Sequence, residues 1–357
     1  MKILIDLGHP AHVHYFRNFV RIMQEKGHHF LFTARDKEVL HQLLERYGIP
    51  YVNRGKGRSS MSGKAAYILY ADAILLREAL RFKPDLFLSF ASPYAAHVSR
   101  LVRKPHITFD DTEHARLAHR LYEPFTDVIL SPDCFLHPFS RKQLFFRSYM
   151  EMCHLHPSYF RPDASVPEQL SLKAGDPYVI LRFVSWQASH DIGQSGLSAE
   201  TRKRLVHELS RHARVFISSE GALPAEFEPY KLNIQPQQLH HLLAFASLYI
   251  GEGSTTASEC SVLGTPNIYV NSLVVGYCRE QEEKYGLCQH FTTDRGVVEK
   301  ALELLTAGAK NEASAEGHRR LLADKIDPTT FMVWFVENYP SSVTILKDNP
   351  DFQLRFR

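Results

Sequence analysis

One stretch limits the fold more than any other: Leu248-Tyr249-Ile250, then Gly251-Glu252-Gly253-Ser254-Thr255-Thr256-Ala257-Ser258-Glu259, then Gly264-Thr265-Pro266. The apolar triplet reads as the end of a buried strand. Ala257, Cys260 and Leu263 then recur at the spacing of one helix face. Gly264 stops that helix, Pro266 forbids its return, and Asn267 to Val270 starts another strand. Strand, glycine turn, helix, strand is a βαβ unit, which belongs to the α/β class. Glycines at the turn let backbone approach a ligand, and the free N–H groups of the helix start face it. Ser254 and Thr255 suit either capping or anion binding. Gly251, Gly253, Ser254, Thr255 and Thr256 are therefore candidate phosphate ligands.

A dinucleotide site would place an acid about 20 positions on, at the end of the following strand. Val270-Asn271-Ser272 has none. Glu259, inside the helix, is the carboxylate that could accept hydrogen bonds from the two hydroxyls of a ribose. The same residues also serve a plain βαβ turn with a capping serine and a solvated glutamate.

At 357 residues the chain exceeds what one core usually serves, so two domains are expected. A formal net charge of +3 does not point to nucleic acid. The cysteines, Cys134, Cys153, Cys260, Cys278 and Cys288, are scattered, with no Cys-x-x-Cys, which fits a reducing compartment and excludes the usual thiolate zinc spacing. Ile3-Leu4-Ile5 is too short, and Asp6 comes too soon, for a signal peptide. The expectation is a cytoplasmic protein. His12-x-His14 and His154-x-His156 would each point one way on a strand, but neither has a nearby third ligand, and no metal site is expected.

Strand and helix alternate from the start, which reads as a doubly wound parallel sheet. Lys2 to Leu7 is a first strand and Gly8 to His12 the turn after it. Asn53 to Lys64, with Arg54, Lys56, Arg58 and Lys64, reads as a mobile basic loop. It is not a P-loop, because Gly57 and Gly63 have five residues between them and Ala65 replaces the Mg²⁺-binding hydroxyl. Asp110-Asp111-Thr112-Glu113-His114 follows the strand His106 to Phe109 at its carboxyl end, where such sheets place ligands. Arg141, Lys142 and Arg147 interleave with Phe139, Phe145 and Phe146, which suits either a buried strand or a peripheral contact with the inner face of the cell membrane. Prolines at 157, 162 and 167 mark the boundary. The domains expected are 1–155, 165–325, and a segment 326–357 returning to the first. In the second domain, Tyr178 to Phe183 is a strand, Ser198 opens a helix, and Val215 to Ser219 is a strand ending in Ser219-Glu220.

The 251–266 stretch resembles the nucleotide-binding segment of GT-B glycosyltransferases, especially the GlcNAc transferase of peptidoglycan synthesis. Gly253, Ser254, Thr255, Glu259, Gly264 and Pro266 match it without a gap. His12, fifteen residues before Gly27, matches that enzyme's turn histidine, although His9-Pro10-Ala11 is bulkier than its glycine-rich turn. Over roughly residues 1–340 the chain resembles the DUF354 family of GT-B-like proteins. The matching patterns are Asp6-x-x-x-Pro10-x-His12-x-His14-x-Phe16, Leu181-Arg182-Phe183, His190-Asp191-Ile192-Gly193, Ile217-Ser218-Ser219-Glu220 and the 251–266 stretch. Thr112-Glu113-His114-Ala115-Arg116 is a loose echo of a run in the UDP-GlcNAc 2-epimerases.

These resemblances imply a GT-B fold, two Rossmann-like domains facing across a cleft. They imply a metal-independent glycosyltransferase that takes a nucleotide-diphospho sugar, uridine-linked, and passes it to a saccharide or lipid-linked acceptor. A UDP-sugar epimerase or hydrolase, or a non-catalytic nucleotide-sugar binder, is the alternative. On this reading Glu259 holds the ribose, residues 251–256 the phosphate, and Arg182, Ser185, Ser219 and Glu220 further anion or nucleotide contacts. His12 or Asp111 is the base, with Glu113 and His114 as acid–base groups if the enzyme is an epimerase.

Overall fold

The computed structural model describes all of the chain except residues 59, 184–195, 220 and 309–311. It divides into two compact units, Met1–His154 with Ile326–Arg357 (unit 1) and Leu155–Lys325 (unit 2).

Unit 1 is built on β1 (Lys2–Leu7), β2 (His29–Asp36), β3 (Tyr51–Lys56), β4 (Leu86–Phe90), β5 (His106–Phe109), β6 (Val128–Pro132) and β7 (Gln143–Phe146). All pair in parallel, in the order β3-β2-β1-β4-β5-β6-β7. Strand order reverses between β1 and β4, and the carboxyl ends there frame the position where open α/β sheets bind ligands. Ile3, Ile5, Leu86 and Leu88 on one face of the sheet, and Leu4 and Phe87 on the other, are buried, as parallel strands covered on both faces require.

The helices of unit 1 are α1 (Pro10–Glu25), α2 (Leu40–Arg46), α3 (Met61–Phe82), α4 (Pro93–Leu101) and α5 (Arg116–Tyr122). Helix Pro328–Glu337 packs on α1, and Phe331 stacks on Phe146 of β7 at 5.8 Å. Asp327 caps that helix, accepting from the N–H groups of Thr329 and Thr330. Phe146 is therefore core, which leaves the aromatic and basic run around β7 with a structural role.

Two expectations are corrected here. Pro10 starts α1 directly, with the His9 side chain accepting from the Ala11 N–H, so His12 lies in a helix's first turn rather than in a loop. Arg54 does not belong to a basic loop. It sits on β3 at 1 % exposure, and α3 begins at Met61, inside the expected loop. Ser60 makes the earlier start possible by capping it, accepting from the Gly63 N–H.

Unit 2 contains β8 (Tyr178–Phe183), β9 (Arg214–Ser219), β10 (Leu248–Gly251), β11 (Asn267–Val270) and β12 (Cys288–Phe291), in the order β12-β11-β10-β8-β9. All pairs are parallel and the order switches between β8 and β10. Ser198 caps helix Ala199–Leu209 by accepting from the Thr201 N–H. Helix Gly276–Glu283 and β12 had no sequence signal of their own: the helix is polar and the strand only four residues long. Among the described residues, no helix is long and apolar enough to cross a membrane.

Candidate functional site

In unit 2, the register sets Gly251 beside Arg182 across the switch point. A Cβ at Gly251 would overlap the Tyr249 hydroxyl, so only glycine lets that buried ring lie against the turn. Gly253 occupies the N-cap in extended conformation, and helix Ser254–Val262 begins immediately after it. Ser254, Thr255 and Thr256 thus supply the first N–H groups of the helix, which have no partner four residues back. None of these hydroxyl residues is the cap. Ser254 Oγ accepts from the Tyr277 hydroxyl at 2.7 Å, which orients the first turn.

Glu259 is the sixth residue of this helix and is only 5 % exposed. Its Oε1 lies 2.9 Å from His240 Nε2 on helix Leu239–Phe245. The reading as a solvated helix glutamate is corrected: Glu259 is buried and oriented by a neighbouring ring. Glu252, which the sequence reading passed over, is more buried still. It accepts from Arg202 at 3.0 and 3.2 Å and from the Leu197 N–H at 2.8 Å, and its own carbonyl accepts from Asn271. Glu252 therefore fastens β10 to the start of helix Ala199–Leu209 and to the end of β11. Arg182 is half-buried and donates to Ser218 Oγ at 3.0 Å, while Ser219 accepts from the Gly221 N–H. Ser185 and Glu220 lie outside the described residues.

In unit 1, Asp6 at the end of β1 is fully buried and accepts from four groups: Thr33 Oγ1, Arg54 Nε and Nη2, and Ser92 Oγ. Arg54 also donates to the Tyr67 hydroxyl and lies over the Tyr94 ring. This ion pair has nearly every polar atom met, which a buried pair needs if it is not to cost stability.

His12 stands beside this pair. Its Nδ1 accepts from the Gly8 N–H at 3.2 Å, so the neutral ring carries its proton on Nε2. Burial, followed by His9, Lys37 and Arg54, holds its pKa well below the ordinary 6.5. His12 and His14 lie two residues apart on a helix and so do not point the same way, unlike the strand geometry that would pair them as ligands. The His14 ring instead stacks on His154 at 5.0 Å.

After β5 the chain gathers acids. Asp110 is held by the Thr112 N–H, the Tyr122 hydroxyl and His119 Nε2, and so belongs to the framework. Asp111, 7 % exposed, accepts from Thr112 Oγ1 at 3.2 Å. Burial, reinforced by Glu151, Asp110 and Glu113, pushes its pKa well above the usual carboxylate range. Glu113 is buried and accepts from the Leu136 N–H, and His114 is half-buried in the same turn. Glu151, buried at 1 % and facing Tyr15, was missed by the sequence reading. A charge between Met150 and Met152, in a run that is otherwise core, was the signal that could have found it.

Two doubly wound parallel units, each with polar side chains at its switch point, define the GT-B fold. Solved structures agree. The UDP-GlcNAc 2-epimerase of Neisseria meningitidis, bound to UDP-GlcNAc, matches with a TM-score of 0.66 and 13% identity, over 94% of this chain and 99% of its own. The spinosyn rhamnosyltransferase complexed with spinosyn aglycone matches with a TM-score of 0.61 and 14% identity, over 95% and 100%. The chain belongs to the DUF354 family, described as a protein of unknown function, whose family model matches residues 1–339. An uncharacterized protein of Methanocaldococcus jannaschii is 25% identical over 283 residues, 75% of this chain and 81% of its own length.

Proposed function

We propose that this protein is a GT-B glycosyltransferase that uses a uridine-diphospho sugar to build a surface polysaccharide or glycolipid. The observation that carries the reading is Glu259, buried two turns into a helix that starts on Gly253 and oriented by His240. A carboxylate kept dry and aimed costs stability unless something uses it, and the two hydroxyls of a ribose are a fitting use. The helix start at residues 254–256, with Arg182 and Ser219, supplies donors for a diphosphate. Solved relatives of the same fold are complexed with UDP-GlcNAc or UDP, which supports a nucleotide sugar as the ligand class.

In the reaction, an acceptor hydroxyl oxygen bonds to the anomeric carbon while the bond to the diphosphate breaks. The hydroxyl proton passes to an unprotonated carboxylate of the Asp111, Glu113 and Glu151 group. His12 donates from Nε2 to a sugar or phosphate oxygen and is not the base. Helix N–H groups and Arg182 neutralise the leaving diphosphate, so the reaction proceeds without a metal.

One observation favours a second reading, a UDP-sugar 2-epimerase or hydrolase. Asp110, Asp111, Glu113 and Glu151 crowd together, and such chemistry needs several proton-carrying groups around one sugar. The test is to incubate the protein, in EDTA, with UDP-sugars alone and with saccharide or lipid-linked acceptors, following the anomeric signals by NMR. Turnover that requires an acceptor and survives EDTA supports the transferase. Consumption of the UDP-sugar alone, with solvent deuterium entering the sugar, supports the epimerase.

A further inference from the structure

Among the described residues, eight large hydrophobic side chains are exposed, and six of them lie between residues 69 and 125: Leu69, Tyr70, Leu80, Leu101, Leu117 and Phe125. Single exposed leucines need no explanation, but a gathering on adjacent elements does. The elements are adjacent. Tyr67 of α3 meets Tyr94 of α4 at 5.7 Å, and Asp72 of α3 bonds His97 of α4 at 2.9 Å. His97 in turn reaches the Leu121 carbonyl of α5 and stacks edge-on with Phe125.

Helix α3 carries the pattern furthest. Its 22 residues span about 33 Å. Tyr67, Ala71, Leu75 and Ala79 face the core, while Ala66, Leu69, Ala73 and Leu80 lie on the exposed side. The exposed charged residues of this helix are Arg77 and Arg81. Its acids are half-buried: Asp72 bonds His97, and Glu78 accepts from both of those arginines. Among the described residues from 61 to 125, the exposed charged ones are eight Lys or Arg against one acid, Asp85.

We infer that the outer face of α3 to α5 docks on an anionic lipid surface. An apolar stripe flanked by cations matches a headgroup layer over an acyl boundary: leucines insert, tyrosine sits at the interface, and arginines keep their heads at phosphate level. The charge also argues against a second copy of the chain as the occupant, since two such faces would bring their exposed cations together. This inference is independent of how the catalytic groups are read.

The test is sedimentation of the full-length protein with phosphatidylcholine vesicles, with and without phosphatidylglycerol. The protein should pellet with the anionic vesicles, less so as salt rises. Arg77→Ser with Arg81→Ser should weaken binding roughly 25-fold, about fivefold for each cation lost. Leu69→Glu with Leu80→Glu should weaken it at least tenfold, with an unchanged melting temperature because both side chains are exposed. No pelleting with anionic vesicles overturns the inference. So does a wild-type dimer by light scattering that the leucine variant turns into a monomer, since the face would then be covered by a second copy.

Discussion

The carboxylates of the two units are treated in opposite ways. In unit 2, Glu252 meets Arg202 and Glu259 meets His240. In unit 1, Asp6 is likewise met by Arg54, but Asp111 faces Glu151, Asp110 and Glu113. A carboxylate given donors is positioned, and one set among other carboxyls holds a proton. The difference divides the labour of the proposed reaction: unit 2 recognises the nucleotide, the Asp6–Arg54 pair is framework, and the acids after β5 move protons.

The contrast breaks first at Asp111. Asp111→Asn keeps the shape and removes the titration, and should lower turnover roughly 10²–10⁴-fold. It should also change how stability depends on pH. The folded pKa lies above the ordinary 3.8, so the folded state binds more protons, and stability is lost as pH rises from about that value toward the folded pKa. The asparagine variant lacks this loss. Its melting temperature relative to wild type should therefore climb from acid toward neutral pH, and a constant difference would count against the assignment.

The framework pair comes next. Arg54→Met leaves Asp6 buried and uncompensated and should cost about 3–5 kcal/mol in urea unfolding. Adding Asp6→Asn should recover much of that, because the isolated charge is gone. No recovery would mean that Arg54 acts through packing on Tyr67 and Tyr94 instead.

Glu259→Ala should weaken UDP binding by about tenfold or more, measured by calorimetry. It should also cost about 1–3 kcal/mol of stability, since His240 loses its partner in a buried place. A 2′-deoxynucleotide should bind wild type less well and Glu259→Ala hardly less well than UDP itself. An equal deoxy penalty in both proteins would remove the ribose role.

His12→Ala gives the smallest effect, a loss of roughly 10–100-fold in turnover, that of one hydrogen-bond donor rather than a base. Its pH signature opposes that of Asp111. The folded pKa lies below 6.5, so the unfolded state binds more protons at mildly acid pH, and stability is lost as pH falls through about that value. His12→Ala should flatten that slope. A loss near the Asp111→Asn figure would restore His12 as the base.

Much of the architecture was legible in the sequence because its signals are local. Ser198 and Asp327 cap the helices they precede, Gly264 takes a positive φ after Val262, and Gly253 begins the helix that carries Glu259. Each of these is decided within a few residues by backbone conformation and the nearest donors. Buried strands such as Ile3 to Ile5 announce themselves by continuous apolar character. By contrast, the polar helix Gly276–Glu283 and the short β12 follow from what they pack beside, and left no periodic trace.

By itself, then, the sequence determined two α/β halves, the place of the turn at 251–256, and the acids after β5. Only the tertiary structure decided what each charge does. Arg54 reads as a loop cation until Asp6, 48 positions earlier, is seen to bury it. Glu259 reads as either a ribose ligand or a solvated helix residue until His240 is found against it. Asp111 reads as one acid of a ligand-site run until Glu151, 40 positions on, is brought against it. The physical reason is the same in all three cases. A local pattern sets backbone conformation, whereas the energy of a charge depends on its desolvation and on the partners that long-range folding places within a few ångströms.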